Sequence, residues 1–543
     1  MNTLYYGDNL EVLRKHIQDE SVDLIYLDPP FNSARNYNLL FKQHKGQSSP
    51  AQIMAFEDTW TFSYEIWNDF KADQANGALH NLMDALFQIL GASDMMAYLL
   101  MMAPRLLDLH RILKSSGSLY LHCDPVASHY LKIVLDVVFG PDKFKNEITW
   151  KRTNTHNDAK KRLANVADTI LFYSKSRSGT TFNPLHLDHD LGYVKSFYRH
   201  KDDRGTYRLH DITSPNPRPN LMYTLVAPDG RDFPPPRFGW RFSKDTMASL
   251  IEDNRIQFPL KDGGRPQVKR YLHEMKGSPL GSVWDDILPV QSQALERRGY
   301  PTQKPLALLE RIIALSSNEG DVIMDPFAGC GTAVVAAERM GRKWVGIDIT
   351  YLAISEVVDR LRTEHIEGRE LEFKTIGTPK DGAGAEALFE STKSQNHKPF
   401  EQWAVSLVGG RWNDKRGADR GIDGRIGLHD AQGSYREALV QVKGGNALTL
   451  SAVRDFSQVI SRENAILGIM LAMKPPTKEM LLEAGSMGMA DWHTDGKYPK
   501  LQILYIPEML EKGVRAHVPE SYRIKPQVGV GRKVMNGQTS LEE

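Results

Sequence analysis

The stretch from Val322 to Ile349, VIMDPFAGCGTAVVAAERMGRKWVGIDI, limits what this chain can fold into more than any other. It reads as an apolar strand, a tight glycine turn, a helix, and a second strand that ends in an acid. Glycines let the backbone turn sharply and approach a ligand, and the following helix offers free N–H groups. The pattern therefore predicts a βαβ unit that holds a polar, nucleoside-like molecule.

The acid at the end of this stretch narrows the class of ligand. Asp348 lies 23 residues after Asp325 (348 − 325), where a carboxylate can accept hydrogen bonds from ribose hydroxyls. The dinucleotide fingerprint would need glycine at position 334, and Val334 stands there, which disfavours a NAD-dependent dehydrogenase. A tight turn between strand and helix that binds nothing is the simpler alternative.

The rest of the chain predicts an α/β protein of several domains, because 543 residues exceed one ordinary core. Strands alternate with helices in 1–173 and again in 294–376, so we expect one mostly parallel sheet. An irregular insert rich in Pro, Gly, aromatic and basic residues occupies 174–293. A small, polar linker at 377–398 leads to a separate domain at 399–524 and a loose tail at 525–543.

Composition places the chain in a broad class and leaves its partners open. A hydrophobic content of 41% and a charged content of 25% are typical of soluble globular proteins. Two cysteines and no apolar signal peptide favour a reducing, cytoplasmic setting, and no segment reaches the ~20 apolar residues of a membrane span. The net charge of +1 neither requires nor excludes nucleic acid, and whether the chain forms a homodimer is open.

A second motif, Asp28-Pro29-Pro30-Phe31, follows the apolar strand from Val22 to Leu27. The Asp28 carboxylate and the Pro29 carbonyl can accept the hydrogens of an exocyclic amine, while the prolines stiffen the turn. Phe31 offers a face on which a base flipped out of a duplex can stack. A strand-ending turn without chemistry is again the alternative.

With both motifs in one chain, the sequence resembles the DNA amino-methyltransferases that use S-adenosylmethionine. Those enzymes carry a D/N/S-P-P-Y/F/W motif and an F-x-G-x-G cofactor turn, which here are Asp28 to Phe31 and Phe327-Ala328-Gly329-Cys330-Gly331. The catalytic motif precedes the insert and the cofactor motif follows it, the order of the family's β group. The resemblance covers about 1–365 and implies a class I, Rossmann-like methyltransferase with permuted motif order and an inserted target-recognition domain.

The resemblance also assigns residues to the two halves of the site. Asp28, Pro29, Pro30 and Phe31 would be catalytic. The residues implied to bind the cofactor are Asp8 of the turn Gly7-Asp8-Asn9; Thr302, Lys304 and Pro305; Asp325, Phe327, Ala328, Gly329, Gly331 and Thr332 of the glycine turn; and Asp348. Asp at the first catalytic position favours adenine N6 over cytosine N4, which stays the alternative. C5-cytosine methylation is excluded because neither Cys123 nor Cys330 lies on a Pro-Cys turn.

Double-stranded DNA is the partner that this resemblance implies. Basic clusters at Lys151-Arg152, Lys160-Lys161-Arg162 and Arg199-His200-Lys201 can neutralise phosphates. The aromatic and arginine-rich runs at Arg218 and at Arg237 to Arg241 are candidates to reach base edges. Each cluster taken alone is also typical of a solvated surface.

The domain at 399–524 resembles the Mrr-type restriction endonucleases of the PD-D/E-x-K superfamily, in which Gln replaces the second acid. Asp423 and the run Gln441-Val442-Lys443 are expected on neighbouring strands of a hairpin, with Glu401 on the preceding helix. The resemblance makes Asp423, Gln441, Lys443 and Glu401 catalytic, with Asp423 and Gln441 as ligands of Mg²⁺. Mg²⁺ beside a lysine is what phosphodiester hydrolysis requires. A domain that binds DNA without cutting it is the alternative, and a cofactor-binding regulator without transferase activity is the alternative for the whole chain.

Overall fold

The structure is a computed structural model that describes residues 1–30, 36–42, 48–57, 62–72, 77–154, 163–261, 263–291, 294, 296–297, 303–363, 372–393, 397–412, 421–429, 435–492 and 496–519. The predictions for Phe31, Thr302, Lys160-Lys161-Arg162 and the tail concern residues outside these ranges. Two compact units divide the chain. The larger comprises Met1–Asn183 with Ser282–Glu543, and the smaller comprises Pro184–Gly281.

Strands and helices alternate through the first part of the larger unit. In chain order they are β1 (Asn2–Tyr6), α1 (Asn9–His16), β2 (Val22–Leu27), β3 (Asn36–Lys42), β4 (Ser48–Glu57), α2 (Tyr64–Ala72), α3 (Gly77–Leu90), α4 (Asp94–Ile112), β5 (Leu113–Cys123), α5 (Ser128–Phe139), β6 (Phe144–Lys151) and β7 (Ala167–Ser174).

The smaller unit has short strands and two helices. They are β8 (His186–Leu187), α6 (Leu191–Phe197), β9 (His200–Asp202), β10 (Gly205–Asp211), β11 (Leu225–Val226), β12 (Asp232–Phe233), α7 (Lys244–Glu252), β13 (Ile256–Gln257), β14 (Gln267–Tyr271) and β15 (Ser278–Pro279).

The larger unit then resumes its alternation. Its remaining elements are β16 (Val283–Trp284), α8 (Leu306–Ser316), β17 (Val322–Asp325), α9 (Thr332–Arg339), β18 (Lys343–Asp348), α10 (Tyr351–Thr363), β19 (Phe373–Ile376), α11 (Gly382–Ser391), α12 (Lys398–Leu407), β20 (Arg411–Trp412), β21 (Gly424–His429), β22 (Tyr435–Lys443), α13 (Leu450–Arg462), β23 (Leu467–Ala472), α14 (Lys478–Ser486), β24 (Met489–Trp492), β25 (Gly496–Pro499), β26 (Leu501–Tyr505) and α15 (Ile506–Glu511).

One nine-stranded sheet joins the two α/β stretches on either side of the insert. Its strand order is β16-β6-β7-β5-β2-β17-β18-β1-β19, and the run from β5 to β19 is parallel. β7 runs antiparallel to both of its neighbours. The late strands β17 and β18 therefore lie between β2 and β1 from the start of the chain. The position of β17 and β18 between β2 and β1 brings segments about 300 residues apart in sequence to the same sheet edge.

Apolar side chains explain why these strands lie at the centre of the sheet. Leu24, Ile25 and Leu27 of β2, and Ile323 and Met324 of β17, are almost completely buried. Strands that are buried on both faces are expected to read as continuous apolar runs, as these do. Helices α1, α4 and α5 contribute Leu13, Leu99 and Leu131, among others, to the same core. The predicted mostly parallel sheet is confirmed.

The smaller unit is a separate core around a four-stranded antiparallel sheet of order β13-β14-β10-β9. Its bounds, 184–281, are narrower than the insert expected at 174–293. The flanks belong to the larger unit because Lys175 N–H and Asn183 N–H donate to the Gly117 and Leu315 carbonyls, and because β16 pairs with β6.

The last part of the larger unit has its own five-stranded sheet of order β20-β21-β22-β23-β26. β20, β21 and β22 are antiparallel, while β22, β23 and β26 are parallel. The segment expected to be a linker contains α11, which begins at an Asp381 cap and buries Ala385 completely. Within the described ranges, none of the helices combines the length and apolarity needed to cross a bilayer.

Candidate active site

The carboxyl ends of β2, β17, β18 and β1 are neighbours, so the segments that follow these strands meet at one edge of the sheet. This is the edge at which open parallel sheets bind ligands. Asp348 ends β18, and its carboxylate accepts hydrogen bonds from Gly329 N–H at 2.9 Å and from the Thr350 N–H at 2.8 Å. The Thr350 hydroxyl also donates to this carboxylate, so three of its roughly four acceptor positions are used and about one remains for a ribose hydroxyl. Burial raises the pKa of Asp348.

Helix α10 packs against the glycine turn between β17 and α9 and restricts its conformation. Gly331 has φ +74°, and a Cβ at this position would lie 2.8 Å from the Val357 side chain. Glycine is therefore required both by the left-handed backbone and by the close packing of α10. The buried Arg360 of α10 donates to the Cys330 carbonyl and to the Thr332 hydroxyl, each at 3.1 Å. The turn is consequently rigid before any ligand arrives.

Asp325, at the end of β17, is a buried acid in this turn. Its carboxylate accepts a hydrogen bond from Phe327 N–H at 3.0 Å, and only 4% of the residue is exposed. Burial raises the pKa of Asp325 to about 8, and the charges of Asp28 and Asp348 add to that effect, whereas Lys304 opposes it. A positively charged ligand in this cavity would favour the ionised carboxylate.

The turn Gly7-Asp8-Asn9 after β1 is tied to the glycine turn. Asn9 donates a hydrogen bond to the Pro326 carbonyl at 2.8 Å, across 317 residues of sequence. Asp8 caps α1 by accepting from Leu10 N–H, and it forms an ion pair with Arg105 of α4 at 2.6 Å. Arg105 was missed by sequence reasoning because it lies in a helix that carries no motif, and only the fold brings it to Asp8.

An ion pair joins the acidic turn Asp28-Pro29-Pro30 to the segment before α8. The Lys304 ammonium donates to Asp28 Oδ2 at 2.5 Å, and Lys304 is only 7% exposed. The resemblance places Lys304 beside the cofactor, whereas in the structure its ammonium group pairs with the Asp28 carboxylate. A buried cation held against Asp28 fixes the position of this carboxylate and offsets the cost of burying it.

A single open cavity of about 1130 Å³, including its solvent-exposed mouth, connects the two halves of the site. The predicted residues that line it are Asp8, Asp28, Pro29, Pro30, Lys304, Asp325, Phe327, Ala328, Gly329, Thr332 and Asp348. Pro305 and Gly331 do not line it: Pro305 caps α8, and Gly331 packs on Val357 behind the turn.

Tyr26 and Ile349 also line this cavity and were not singled out from the sequence. Tyr26 is on β2, two residues before Asp28, which follows the end of that strand. The period of two along a strand therefore places the Tyr26 side chain on the same face as Asp28. Ile349 follows Asp348 and is 63% exposed, which is unusual for a large apolar residue next to a buried acid. The sequence feature that could have identified both residues as part of the cavity is their closeness to Asp28 and Asp348.

In the C-terminal sheet, Asp423 immediately precedes β21 and Lys443 ends β22, the antiparallel neighbour of β21. Asp423 Oδ2 accepts a hydrogen bond from Val442 N–H at 2.6 Å. The Gln441 amide donates to the Gly421 carbonyl at 2.8 Å, while its buried oxygen Oε1 has no hydrogen-bond partner among the residues that the structure describes. Glu401 lies on α12. Among the residues that the structure describes, no group of three His, Cys, Asp or Glu side chains is placed to hold a metal ion.

In the smaller unit, several of the basic residues predicted to recognise DNA are exposed to solvent, whereas another residue of the predicted runs is buried. Arg199, His200, Lys201, Arg218 and Arg237 are exposed. Trp240, in the run from Arg237 to Arg241, is buried instead: it packs in the core of this unit, and its indole N–H donates to the Tyr223 carbonyl at 2.8 Å. Trp240 therefore stabilises the unit and does not reach base edges.

The fold and the cavity define an α/β protein with a nucleoside-type pocket beside a proline-stiffened acidic turn. The family model of the N6/N4 DNA methylases matches residues 22–357, more than half of the chain, and the chain belongs to this family.

Individual relatives are more distant. The Type II methyltransferase M.EcaI of Enterobacter cloacae is 28% identical over 361 residues, which are 66% of this chain and 69% of the relative. The DNA adenine methyltransferase YhdJ of Escherichia coli K12 is 26% identical over 68% of this chain and 86% of its own length. The solved structure of the cytosine-N4-specific PvuII DNA methyltransferase is 13% identical over 68% of this chain and 89% of its own, with a TM-score of 0.32, which is too low to support an argument.

Proposed function

We propose that this DNA methylase transfers a methyl group from S-adenosylmethionine to the exocyclic amine of a flipped base, with adenine N6 as the preferred target. The observation that carries the proposal is the shared cavity: the acidic turn after β2 and the glycine turn after β17 open into the same space. Because β2 and β17 are adjacent parallel strands, the turns that follow them lie next to each other at the same edge of the sheet.

The chain's own residues suit the acceptor side of this reaction. An exocyclic amine is a poor nucleophile until its hydrogens are held by acceptors that localise the nitrogen lone pair. Asp28 and the Pro29 carbonyl supply those acceptors, and Lys304 holds the Asp28 carboxylate in place. Phe31, in the same turn by sequence, would stack on the base.

The donor side of the cavity fits the cofactor. Asp348 would accept from the ribose hydroxyls, and Asp8 would contact the adenine of the cofactor. Asp325 is a carboxyl whose pKa is raised by burial to about 8, which a cationic ligand would counteract. S-adenosylmethionine, when bound, supplies a methyl group made electrophilic by a positively charged sulfur. The glycine turn lets the backbone lie close to such a ligand.

Adenine N6 is favoured by Asp at position 28, and cytosine N4 is the alternative. One relative is named a DNA adenine methyltransferase. Because other relatives include Type II and Type III restriction-modification proteins, we place this chain in a restriction-modification system. The exposed basic residues of the smaller unit are our candidates for target recognition on double-stranded DNA.

Mapping of methylated bases in cells that express the parent or Asp28→Ala tests this proposal. We expect a parent-dependent mark on one base type in one sequence context, and its loss in the variant. N4-methylcytosine in place of N6-methyladenine would change the target but keep the reaction. Absence of any parent-dependent mark would overturn the proposed function.

A second activity is proposed for the C-terminal domain, Mg²⁺-dependent DNA cleavage. It is supported by the buried Oε1 of Gln441, which lacks a hydrogen-bond partner among the described residues, and by the Asp423 carboxylate, which the Val442 N–H holds at the same hairpin. Mg²⁺ prefers oxygen ligands and keeps several waters, so one carboxylate and one amide oxygen fit as its protein ligands, with DNA phosphate completing the set. Lys443 would stabilise negative charge on that phosphate, and Glu401 would assist from α12.

Supercoiled plasmid incubated with Mg²⁺ separates this activity from DNA binding without cleavage. We expect the parent to nick or linearise plasmid of at least one methylation state, and Lys443→Ala to leave it intact. Because Lys443 lies in the C-terminal sheet, the same variant should retain methyl transfer. Intact plasmid with the parent under every methylation state would leave a non-cutting DNA-binding module.

A further inference from the structure

Next to the acidic turn, the buried side chains of Tyr26, His122 and Asp168 form a hydrogen-bonded series, called the relay below, that the proposed function does not use. The Tyr26 hydroxyl and His122 Nδ1 are 3.0 Å apart, His122 Nε2 and Asp168 Oδ2 are 3.3 Å apart, and Asp168 Oδ1 pairs with Arg152 Nε at 2.9 Å. Tyr26, His122 and Asp168 are each at most 4% exposed. Polar groups are buried this deeply only when they are hydrogen-bonded, and here they are bonded to one another.

The sheet explains why these residues meet. β2, β5 and β7 are consecutive neighbours, and they carry Tyr26, His122 and Asp168 respectively. The register pairs Leu27 with Leu121 and Cys123 with Thr169, so His122 lies level with the catalytic turn and Asp168 lies beyond it. The relay therefore runs across the sheet from the wall of the active-site cavity to the half-exposed Arg152.

The charges of the surrounding groups fix the direction of each hydrogen bond. Although burial raises the pKa of Asp168, the hydrogen bond from His122 and the charges of Arg152 and Lys304 lower it overall, so Asp168 is an ionised acceptor. His122 Nε2 must then carry a proton, and burial, together with the Lys304 ammonium, lowers the pKa of His122. The imidazole is consequently neutral, and its Nδ1 accepts the hydroxyl proton of Tyr26.

Other groups face His122 from the elements around it. The Asp28 and Lys304 charges act on it from the cavity side, and the Trp150 ring meets it edge-on at 5.7 Å between centroids. Asp28 raises the pKa of His122 and Lys304 lowers it, while the hydrogen bonds to Tyr26 and Asp168 fix the orientation of the ring. The tautomer of His122 is set by Asp168, as it is in the catalytic triads of hydrolases.

We propose that His122 and Asp168 are positioning residues that turn the Tyr26 hydroxyl proton away from the cavity, so that the phenol oxygen serves as an acceptor for the target amine beside Asp28. The inference rests on the proposed methyl transfer and extends it to residues outside both motifs. A tyrosine free to rotate would alternate between donor and acceptor toward the cavity. A tyrosine whose single proton is held by His122 presents lone pairs only.

Single-turnover methyl transfer by the full chain tests this inference, with S-adenosylmethionine affinity measured in parallel. Tyr26→Phe and Asp168→Asn should each slow methyl transfer about tenfold while the cofactor Kd stays within about twofold. The double variant should be no more than about twofold slower than either single variant, because residues of one relay act as a unit. Tyr120→Phe is the matched control: this buried tyrosine bonds Ser316 at 2.7 Å and does not line the cavity, so its rate should be unchanged.

Several results would overturn the inference. They are a Tyr26→Phe rate within twofold of the parent, an equal loss in Tyr120→Phe, or multiplicative losses in the double variant. If Tyr26→Phe shows no cooperative thermal unfolding, the isosteric Asp168→Asn decides alone. A parent that transfers no methyl group to any DNA would refute the proposed function, and the relay with it. A parent that is active beside equally active variants refutes the relay alone.

Discussion

The cavity at the edge of the nine-stranded sheet and the pair of residues in the C-terminal sheet both use a carboxylate with a lysine, but they are assembled differently. Asp28 and Lys304 are 276 residues apart and form a direct ion pair. Asp423 and Lys443 belong to one hairpin, and Asp423 is engaged by the Val442 N–H. The first site depends on the whole sheet, whereas the second depends on two neighbouring strands.

This difference has a physical origin in strand direction. Parallel strands place every carboxyl end at one edge, so β1, β2, β17 and β18 together line a cavity. An antiparallel hairpin places the start of one strand beside the end of the next, which brings together only a few side chains. We therefore expect the first site to bind ligands in a preformed pocket, and the second to need metal and DNA to complete it.

The largest effect should come from Asp28, since it contacts the reacting amine in our proposal. Asp28→Ala should lower the methyl-transfer rate on the order of 10²- to 10³-fold, the loss expected when a transition-state hydrogen-bond partner is removed. Cofactor affinity, measured by calorimetry, should change little. Glu11→Gln, an exposed acid on α1, is the control and should behave as the parent. A cofactor affinity that collapses along with the rate would show that Asp28 serves the pocket rather than the chemistry.

Lys304 tests whether the ion pair across the cavity matters to the reaction. Lys304→Met keeps the length of the side chain but removes the charge, so Asp28 loses a partner and transfer should slow by about 10- to 100-fold. Lys304→Arg should recover part of the rate. The measurement is the split between kcat and cofactor Kd, because an effect on Kd alone would return Lys304 to the cofactor role that the resemblance implies.

The pH dependence of cofactor binding should report on Asp325. Its pKa is raised by burial to about 8 in the free protein, so the acid is mostly neutral at pH 7. A cationic ligand favours the ionised form, so binding releases a proton and the affinity should rise about tenfold from pH 7 to pH 9. Calorimetry in buffers of different ionisation enthalpy counts that proton.

Asp325→Asn provides the comparison for this titration. It should bind the cofactor more weakly and with a flatter pH dependence, and the slope that remains would include Asp348, whose pKa is also raised. The unliganded variant should also melt at a higher temperature than the parent above about pH 4, with a difference that grows up to about pH 8, because the unfolded Asp325 is ionised in that range and must take up a proton to be buried. A parent-like slope in Asp325→Asn would assign the proton to another group.

The two sites also differ in how well sequence predicts them. The glycine turn, Asp325, Asp348 and the acidic turn were predictable because each follows an apolar strand directly. Arg105 and the Tyr26–His122–Asp168 relay were not, because they meet only through strand order and helix packing. Lys304 was assigned to the cofactor by its motif, and its contact with Asp28 joins segments 276 residues apart that only the fold brings together. Trp240 shows the opposite error, because an arginine-rich surface run contained a core residue.

The smallest expected effect addresses whether the C-terminal hairpin is a metal site at all. Gln441 is 6% exposed, and its Oε1 lacks a hydrogen-bond partner within the described part of the chain. Gln441→Glu keeps the shape but places a carboxylate where an uncompensated charge is costly. Without divalent metal the domain should lose about 1–3 kcal/mol, which lowers its melting temperature by several degrees.

Mg²⁺ should reverse that loss if Gln441 faces the ion, because binding to the folded state stabilises it by mass action and a second anionic ligand raises affinity. The measurement is thermal unfolding across a Mg²⁺ titration, with Glu437→Gln as the control on the same strand, since Glu437 pairs with Arg425 on the neighbouring strand. If Mg²⁺ restores the melting temperature of Gln441→Glu and not that of Glu437→Gln, the ion binds at this end of the hairpin. A Gln441→Glu variant that stays equally destabilised at saturating Mg²⁺ would mean that the hairpin holds no metal, and the C-terminal domain would then act by binding DNA.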